Sequence, residues 1–328
     1  MRLLLKGVAV PFLWLLAGSV YAGNKPVELN WPVPEPATRS YDVEYVSTEI
    51  TKGVEKKTRA TFRRQIESSK TAQGYLQVWQ DTDIAMEMSG YDAEQQRLME
   101  DIIEASANIP MKVALNKEAA YESLLNLDEW AELFKQQLGK AFRIGMESAL
   151  KKMPADKRDA AMAEGQKKMD SLMATLSSPA FVRKQIETAP FLYNFFNTGG
   201  LDPEKAYELE SETDSPFGGA PFPVNIHVEI TEYEDEPGYV YGLYRSVLDQ
   251  EKGRPAMVAA IKKITGEDGS VADAEIDKIL KEFEVGVEAN LRIVLETGVV
   301  DWIEIVETKK FPDKTDITTT KMSLNQPK

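Results

Sequence analysis

The stretch YDVEYVSTEI, residues 41–50, alternates apolar and polar side chains and sets the interpretation of the whole chain. Tyr41, Val43 and Tyr45 fall on one parity, and acidic residues occupy the positions between them. A period of two residues is typical of a β-strand that buries one face and exposes the other. Because Gly53 marks a turn soon afterwards, the stretch predicts the first strand of an antiparallel series.

Similar strands are predicted on both sides of a helical middle, which spans about residues 127–197. Hairpin strands are expected at TRATFRRQIES and GYLQVWQDTDIAME, and a further hairpin at PMKVALNKEAAYESLLN, where the same letters could instead begin a helix. Later strands are expected at AYELESETDS, FPVNIHVEITEYE, GYVYGLYRSVLD, VGVEANLRIVLET, VVDWIEIVETKKF and KTDITTTKMSL, with a short helical pair at about 254–283. Strand groups separated by helix groups predict an α+β fold: a large curved antiparallel sheet, a meander or half-barrel, packed on amphipathic helices.

The helical middle is predicted from apolar residues three, four or seven positions apart. Asp128 is a candidate N-cap, and Pro154 is expected to end the first helix. A second, more polar helix follows, and Ser178 with Pro179 is expected to start a third helix that runs into Pro190. The stripe of the first helix consists of Trp130, Phe134, Leu138, Phe142, Met146 and Met153.

The first residues have the pattern of a cleavable secretory signal. Arg2 and Lys6 precede an apolar stretch that is too short to span a bilayer, and cleavage is expected after Ala22. The predicted organisation is therefore a signal peptide at 1–22, a proline-rich extended segment at 23–39 and a single α+β domain at 40–328. No later stretch is long and apolar enough to span a membrane, so the predicted location is periplasmic, or secreted.

Composition excludes several classes of function. The chain has no cysteine, so disulfides, thiol nucleophiles and thiolate metal sites are absent. Removal of the leader lowers the net charge from −14 to −16. A chain this acidic repels phosphate backbones, and no basic patch with interleaved aromatic residues compensates, so nucleic acid is not an expected partner.

In element order, this plan resembles the half-barrel carriers of the bacterial envelope, of the LolA and LppX type. The resemblance implies a curved antiparallel sheet that closes over helices and shelters acyl chains. It covers most of the mature chain and depends on no motif, so no site residue is transferred from it. The chain departs from the LppX branch by lacking the lipid-anchor cysteine, and its helical middle is larger than the resemblance implies.

Methionine and aromatic residues form the candidate binding set. Flexible, polarizable methionine side chains suit a surface that adapts to a variable apolar partner. The aromatic stretch FLYNFFNTGG, residues 191–200, lies next to the helices that carry them. The alternative is that both sets are ordinary core, with the aromatic stretch as the plug between helix and sheet. The candidate ligand-binding residues are Met146, Met153, Met169, Met173, Phe191, Tyr193, Phe195 and Phe196.

The sequence contains little support for a catalytic site or a metal-binding site. His227, the only histidine, falls on the polar face of the strand VNIHVEI, where a solvated side chain is expected, and no nucleophile elbow accompanies it. A calcium loop at ITGEDGSVADAEIDKIL would use Asp268 and Glu275, but its first and third ligand positions would be Ile264 and Gly266. The sequence therefore predicts no cofactor and no metal site.

The sequence-based hypothesis is an exported, non-enzymatic protein. It would bind a lipid or another apolar small molecule, or act as an accessory to a protein of the envelope. Two alternatives stay open: a hydrolase that uses paired carboxylates, and a pure protein–protein interaction module.

Overall fold

The computed structural model describes residues 34–151 and 176–325, apart from 199–200, 203–204, 214–219, 232–235, 237 and 266–279, together with 153–156, 158, 162–163, 165–166 and 173. The predicted leader and most of the proline-rich segment lie outside the described residues. The first strand begins at Thr38, one position before the predicted end of that segment.

Within the described residues, eleven strands form one antiparallel sheet, and the predicted α+β fold with its large antiparallel sheet is confirmed. In space the strands follow the order β5-β4-β3-β2-β1-β11-β10-β9-β8-β7-β6. Their bounds are β1 (Thr38–Thr51), β2 (Val54–Lys70), β3 (Tyr75–Ser89), β4 (Met111–Leu115), β5 (Tyr121–Leu124), β6 (Tyr207–Thr213), β7 (Phe222–Thr231), β8 (Tyr239–Leu248), β9 (Glu284–Val294), β10 (Val299–Phe311) and β11 (Lys314–Leu324).

Two meanders, β1–β5 and β6–β11, make up this sheet, and they are joined by its first and last strands. β1 and β11 pair along their length, from Tyr41 opposite Leu324 to Thr51 opposite Lys314. The two ends of the described chain are therefore fixed at the centre of the sheet. Its edges are β5 and β6, which are consecutive in the chain apart from the helical middle between them.

Helices lie on one side of the sheet. α1 packs against β3, α4 against β5 and β10, and α5 against β7, while α2 packs against α1 and α3. We call the covered side the inner face. The bounds of the helices are α1 (Ala93–Ala107), α2 (Leu127–Lys151), α3 (Pro179–Ile186), α4 (Thr188–Phe195) with a short 3-10 turn after it at Phe196–Thr198, and α5 (Gln250–Thr265).

The start of α3 is predicted correctly. Ser178 is its N-cap, accepts a hydrogen bond from the backbone N–H of Phe181, and is followed by Pro179. The expected end at Pro190 is wrong, because α3 ends at Ile186 and Pro190 lies in the first turn of α4. Proline is tolerated there because the first turn of a helix has no intrahelical partner for its N–H groups.

Two further helix assignments are corrected. α1 is absent from the sequence prediction, although Asp92 and Gln95 form a full capping box at its start. None of its residues is fully buried. α2 begins at Leu127, so Asp128 lies inside the first turn instead of at the N-cap.

Candidate ligand-binding surface

The inner face of the sheet is apolar at one level and polar at another. Where Val43 lies opposite Met322 and Met322 opposite Ile303, the row of side chains is entirely apolar. Four positions further along, Glu307 lies opposite Thr318, and the adjoining row contains Lys309 opposite Asp316. We call this second region the polar band; it consists of Tyr45, Ser47, Glu49, Thr58, Tyr244, Ser246, Glu307, Lys309, Asp316 and Thr318.

The charged residues of the polar band are buried. Glu307 is 3% exposed and Lys309 is 7% exposed, and both belong to the inner-facing parity of β10 that also carries Ile303 and Ile305. Transfer of an isolated charge from water into a protein interior is strongly unfavourable. Burial accordingly raises the pKa of Glu307 to about 8 and lowers the pKa of Lys309 to about 8, and the nearby opposite charge acts against burial in each case.

Four polar atoms of the band have no hydrogen-bond partner within the described structure: Tyr244 Oη, Ser246 Oγ, Glu307 Oε2 and Asp316 Oδ1. Tyr244 and Ser246 are fully buried on β8. Most buried polar groups in folded proteins are satisfied, and one left without a partner costs about 1–3 kcal/mol. Such atoms in three adjacent rows of one face mark a place where the described residues do not complete the hydrogen bonding.

Lys314 joins the polar band to the surface. Its Nζ lies 3.0 Å from Glu49 Oε2 and 3.1 Å from Asp316 Oδ2. The same residue lines a surface groove of about 500 Å³, together with Phe283, Phe311 and other residues near the β10–β11 turn. The groove and the band therefore meet at Lys314.

The polar band was not predicted from the sequence, although the sequence of β10 contains a signal for it. In VVDWIEIVETKKF the inner parity runs Ile303, Ile305, Glu307, Lys309, so charges occupy positions that the alternation assigns to the core. The remaining members come from β1 and β2 near the start of the chain, from β8, and from β11 near its end. Only strand pairing brings them into adjacent rows.

The aromatic candidates form a plug on the inner face. Tyr193 and Phe196 are buried, and Phe191 and Phe195 are half-buried. Phe195 makes edge-on ring contacts with Phe196 and with Tyr244 of the polar band. Tyr41 donates to the carbonyl of Val300 at 2.8 Å, so the 2.7 Å contact between the two tyrosine hydroxyls is a hydrogen bond donated by Tyr193.

The methionine candidates are placed elsewhere. Met173 packs against a separate cluster that contains Leu138, Leu176 and Phe181. Met146 and Met153 are half-buried near the end of α2, and Met169 lies outside the described residues. The structure therefore does not bring Met173 together with the aromatic plug, although the sequence hypothesis treats the two sets as one surface.

A chain of polar contacts links the two edges of the sheet through the junction of α3 and α4. Tyr121 of β5 donates to Glu187 Oε2 at 3.2 Å, and Glu187 Oε1 lies 3.6 Å from Lys184 Nζ. Lys184 in turn donates to Thr213 of β6 at 3.2 Å. We call Tyr121, Lys184, Glu187 and Thr213 the edge clasp. Burial raises the pKa of Glu187, and the charge of Lys184 opposes that rise.

Replacement of Tyr121 by Phe tests the edge clasp. We expect Tyr121→Phe to lower the free energy of unfolding by about 1–3 kcal/mol, because a buried carboxylate oxygen loses its donor. Urea denaturation at pH 7 measures the loss. Tyr91→Phe is the comparison, since the Tyr91 hydroxyl makes only a 3.4 Å contact with Thr58, and it is expected to change stability less. Equal effects of the two variants would contradict a stabilising clasp.

His227 lies on the outer face, as predicted, but it is not simply solvated. Its Nδ1 lies 2.7 Å from Glu208 Oε1, and its Nε2 lies 3.6 Å from Glu229 Oε2. The hydrogen bond with Glu208 raises the pKa of the imidazole. Among the described residues, no group of three or more His, Asp or Glu side chains is arranged to hold a metal ion. The calcium candidates Asp268 and Glu275 lie outside the described residues.

Comparisons with known proteins assign no family. No protein-family model matches the chain, and no curated protein matches it. Part of lipovitellin, in a structure that concerns lipid–protein interactions, is 7% identical with a TM-score of 0.42 over 88% of this chain and 25% of that one. An outer membrane channel from Pseudomonas putida F1 is 6% identical with a TM-score of 0.18 over 94% and 100% of the two chains. The chain thus spans about a quarter of the lipovitellin chain.

At these sequence identities and TM-scores, neither structural neighbour supports an argument about the function of this protein. The resemblance to LolA-type and LppX-type carriers rests on element order alone. In the described part of the chain, no helix combines the length and the apolar character needed to cross a membrane.

Proposed function

We propose that the protein is exported to the periplasm and binds an amphiphilic, lipid-like ligand against the inner face of its sheet. The observation that carries this proposal is the polar band, where buried polar atoms without partners adjoin a buried apolar surface. An amphiphile complements both parts, because its tail suits the apolar rows and its head can bond the unsatisfied atoms.

The arrangement of the inner face gives the ligand a direction. Apolar residues of β9 and β10, such as Leu291 and Ile303, lie on the tail side of the band, level with the aromatic plug. The surface groove at Lys314 lies on the opposite side. The proposed orientation therefore has the head near the groove and the tail directed towards the plug.

Analysis of the purified protein tests this function. Protein exported with its own leader and purified without detergent is expected to release about one amphiphile per chain on solvent extraction, detected by mass spectrometry. Protein stripped of lipid is expected to take up a phospholipid from vesicles. A ligand-free preparation that also fails to take up lipid would contradict the proposal. Export is tested separately, by the appearance in the periplasmic fraction of a chain beginning at Gly23.

One observation favours the hydrolase alternative. Glu307 is a buried acid with a raised pKa, and Asp316 occupies the adjoining row of the next strand. A carboxylic acid protonated at neutral pH is what a general acid requires. Lys314, however, already engages both Asp316 and Glu49, so neither of these two carboxylates is free to act as the partner of Glu307. Incubation with phospholipid distinguishes the two functions, since a hydrolase releases fatty acid or lysolipid and a carrier returns the lipid unchanged.

A further inference from the structure

The polar-band atoms that have no hydrogen-bond partner within the described structure differ in whether they can donate or accept a hydrogen bond. Glu307 Oε2 and Asp316 Oδ1 are carboxylate oxygens, which accept hydrogen bonds when ionised. The hydroxyls of Tyr244 and Ser246 can donate or accept. A ligand that completes the band must therefore bring several donors, and it can also present an acceptor to the two hydroxyls.

The spacing of these atoms fits a small head group. Glu307 and Asp316 lie on neighbouring strands in adjoining rows, so they are diagonal neighbours at about 7–8 Å between their backbones. Ser246 lies in the row of Glu307, two strands away across Val287, which corresponds to about 10 Å. A group with a cationic end and an anionic end a few bonds apart can reach from the carboxylates to the hydroxyls.

The acids of the band also favour a cation. On β1, β10 and β11 the band holds the acids Glu49, Glu307 and Asp316, and its basic groups there are Lys309 and the adjoining Lys314. Burial disfavours the ionised form of Glu307 in the lipid-free protein, and a cation beside it would favour that form. On β2, Lys56 donates to Gln95 and lies over the ring of Tyr91, so its charge faces α1. A phosphate or carboxylate head without an ammonium group would lie beside the acids Glu49 and Asp316 in a partly buried setting, which is unfavourable.

We propose that the polar band selects amphiphiles whose head group carries a primary ammonium group, which donates to Glu307 and Asp316 while an adjoining phosphate accepts from Ser246 and Tyr244. A primary ammonium supplies three N–H donors and a full positive charge. A trimethylated ammonium has the charge but no donor, and a glycerol head has donors but no charge. This inference rests on the proposed function and specifies its ligand class.

A lipid panel with identical acyl chains tests the inference. Stripped protein is equilibrated with vesicles that contain phosphatidylethanolamine, phosphatidylcholine or phosphatidylglycerol, and bound lipid is quantified by mass spectrometry. We expect phosphatidylethanolamine to bind at least about tenfold more tightly than either of the others, because charge-assisted hydrogen bonds are lost with both competitors. Equal binding of all three lipids would overturn the head-group inference and leave the proposed function standing. Failure of all three to bind would overturn both.

Variants of the band provide an independent readout. Glu307→Gln keeps the size of the side chain and cannot ionise beside an ammonium group, so it is expected to abolish the preference for phosphatidylethanolamine. Ser246→Ala removes a buried hydroxyl next to that of Tyr244, so the lipid-free protein should change little in stability, while lipid binding weakens. Glu304→Gln, on the outer parity of β10, is the matched control and should retain the preference. Retention of the preference in Glu307→Gln would overturn the inference.

Discussion

Glu307→Leu combined with Lys309→Met is expected to raise the free energy of unfolding of the lipid-free protein by about 1–4 kcal/mol. Both residues are buried in the apolar parity of β10, and Glu307 Oε2 has no hydrogen-bond partner within the described structure. Replacement of buried charges by apolar residues of similar volume removes the cost of desolvation. The stability gained should be accompanied by loss of lipid binding, as expected where a binding site is built at the expense of stability.

The pH dependence of this stabilisation has a defined sign. The pKa of Glu307 rises on folding from an ordinary value of 4.5 to about 8, so the folded state binds more protons than the unfolded state between these values. Wild-type stability therefore falls as the pH rises through this window. The pKa of Lys309 falls from 10.5 to about 8, so stability recovers above pH 8. The advantage of the double variant is expected to be largest near pH 8.

Urea denaturation from pH 5 to pH 10 measures both the gain and its pH profile. The control is Glu304→Leu with Lys321→Met, an outer-face ion pair at 2.8 Å that joins β10 to β11. Partly exposed pairs contribute about 0–1 kcal/mol, so this control should change stability little. Destabilisation of the Glu307–Lys309 double variant by more than about 1 kcal/mol would show that the two charges support the fold. In that case the two charges would stabilise the fold, and the hypothesis that they are kept buried to bind a ligand would be wrong.

Phe196→Ala is expected to lower the free energy of unfolding by about 3–5 kcal/mol. Phe196 is 1% exposed, lies at the centre of the aromatic plug and contacts the ring of Phe195 edge-on. Its ring also packs over Gly242 of β8, where a Cβ would come within 2.7 Å of Phe196 Cζ. Truncation removes apolar contact area and leaves a cavity that the surrounding sheet cannot close.

A double-mutant cycle with Gly242 makes this test specific. Gly242→Ala alone is expected to cost about 1–3 kcal/mol, because the added methyl group overpacks against the ring. In the Phe196→Ala background the same methyl group enters the vacated space, so its cost should vanish or change sign. Urea denaturation of the four proteins gives the coupling. Simple additivity of the two substitutions would contradict direct packing of Phe196 on Gly242.

Most of the strands could be predicted because their signal is local. In YDVEYVSTEI and VNIHVEI, apolar and polar side chains alternate at consecutive positions. A strand with one buried face is enough to require this alternation. Helix α1 was not predicted, although its capping box, Asp92 with Gln95, is a local signal as well. Pro190 misled the prediction because proline ends a helix interior but is compatible with a first turn.

Only part of the candidate site could be predicted from the sequence. Aromatic residues at 191–196 stand out by composition, and the structure places them in the core between helix and sheet. Met173, chosen on composition too, packs in a separate cluster. Composition shows which side chains are apolar, but packing decides which of them share a surface.

Residue type and local periodicity are enough to predict the class of this protein: half-buried antiparallel strands with amphipathic helices, a polar outer face at His227, and no cysteine chemistry. Those properties depend on residue type and on periods of two or 3.6 residues, which neighbouring positions encode. The tertiary structure alone decided that β1 pairs with β11, that the edge clasp links β5 to β6, and that Glu307, Asp316 and Ser246 occupy adjoining rows. Pairing between distant strands depends on burial summed over the whole sheet, so it cannot be predicted from any local stretch of sequence.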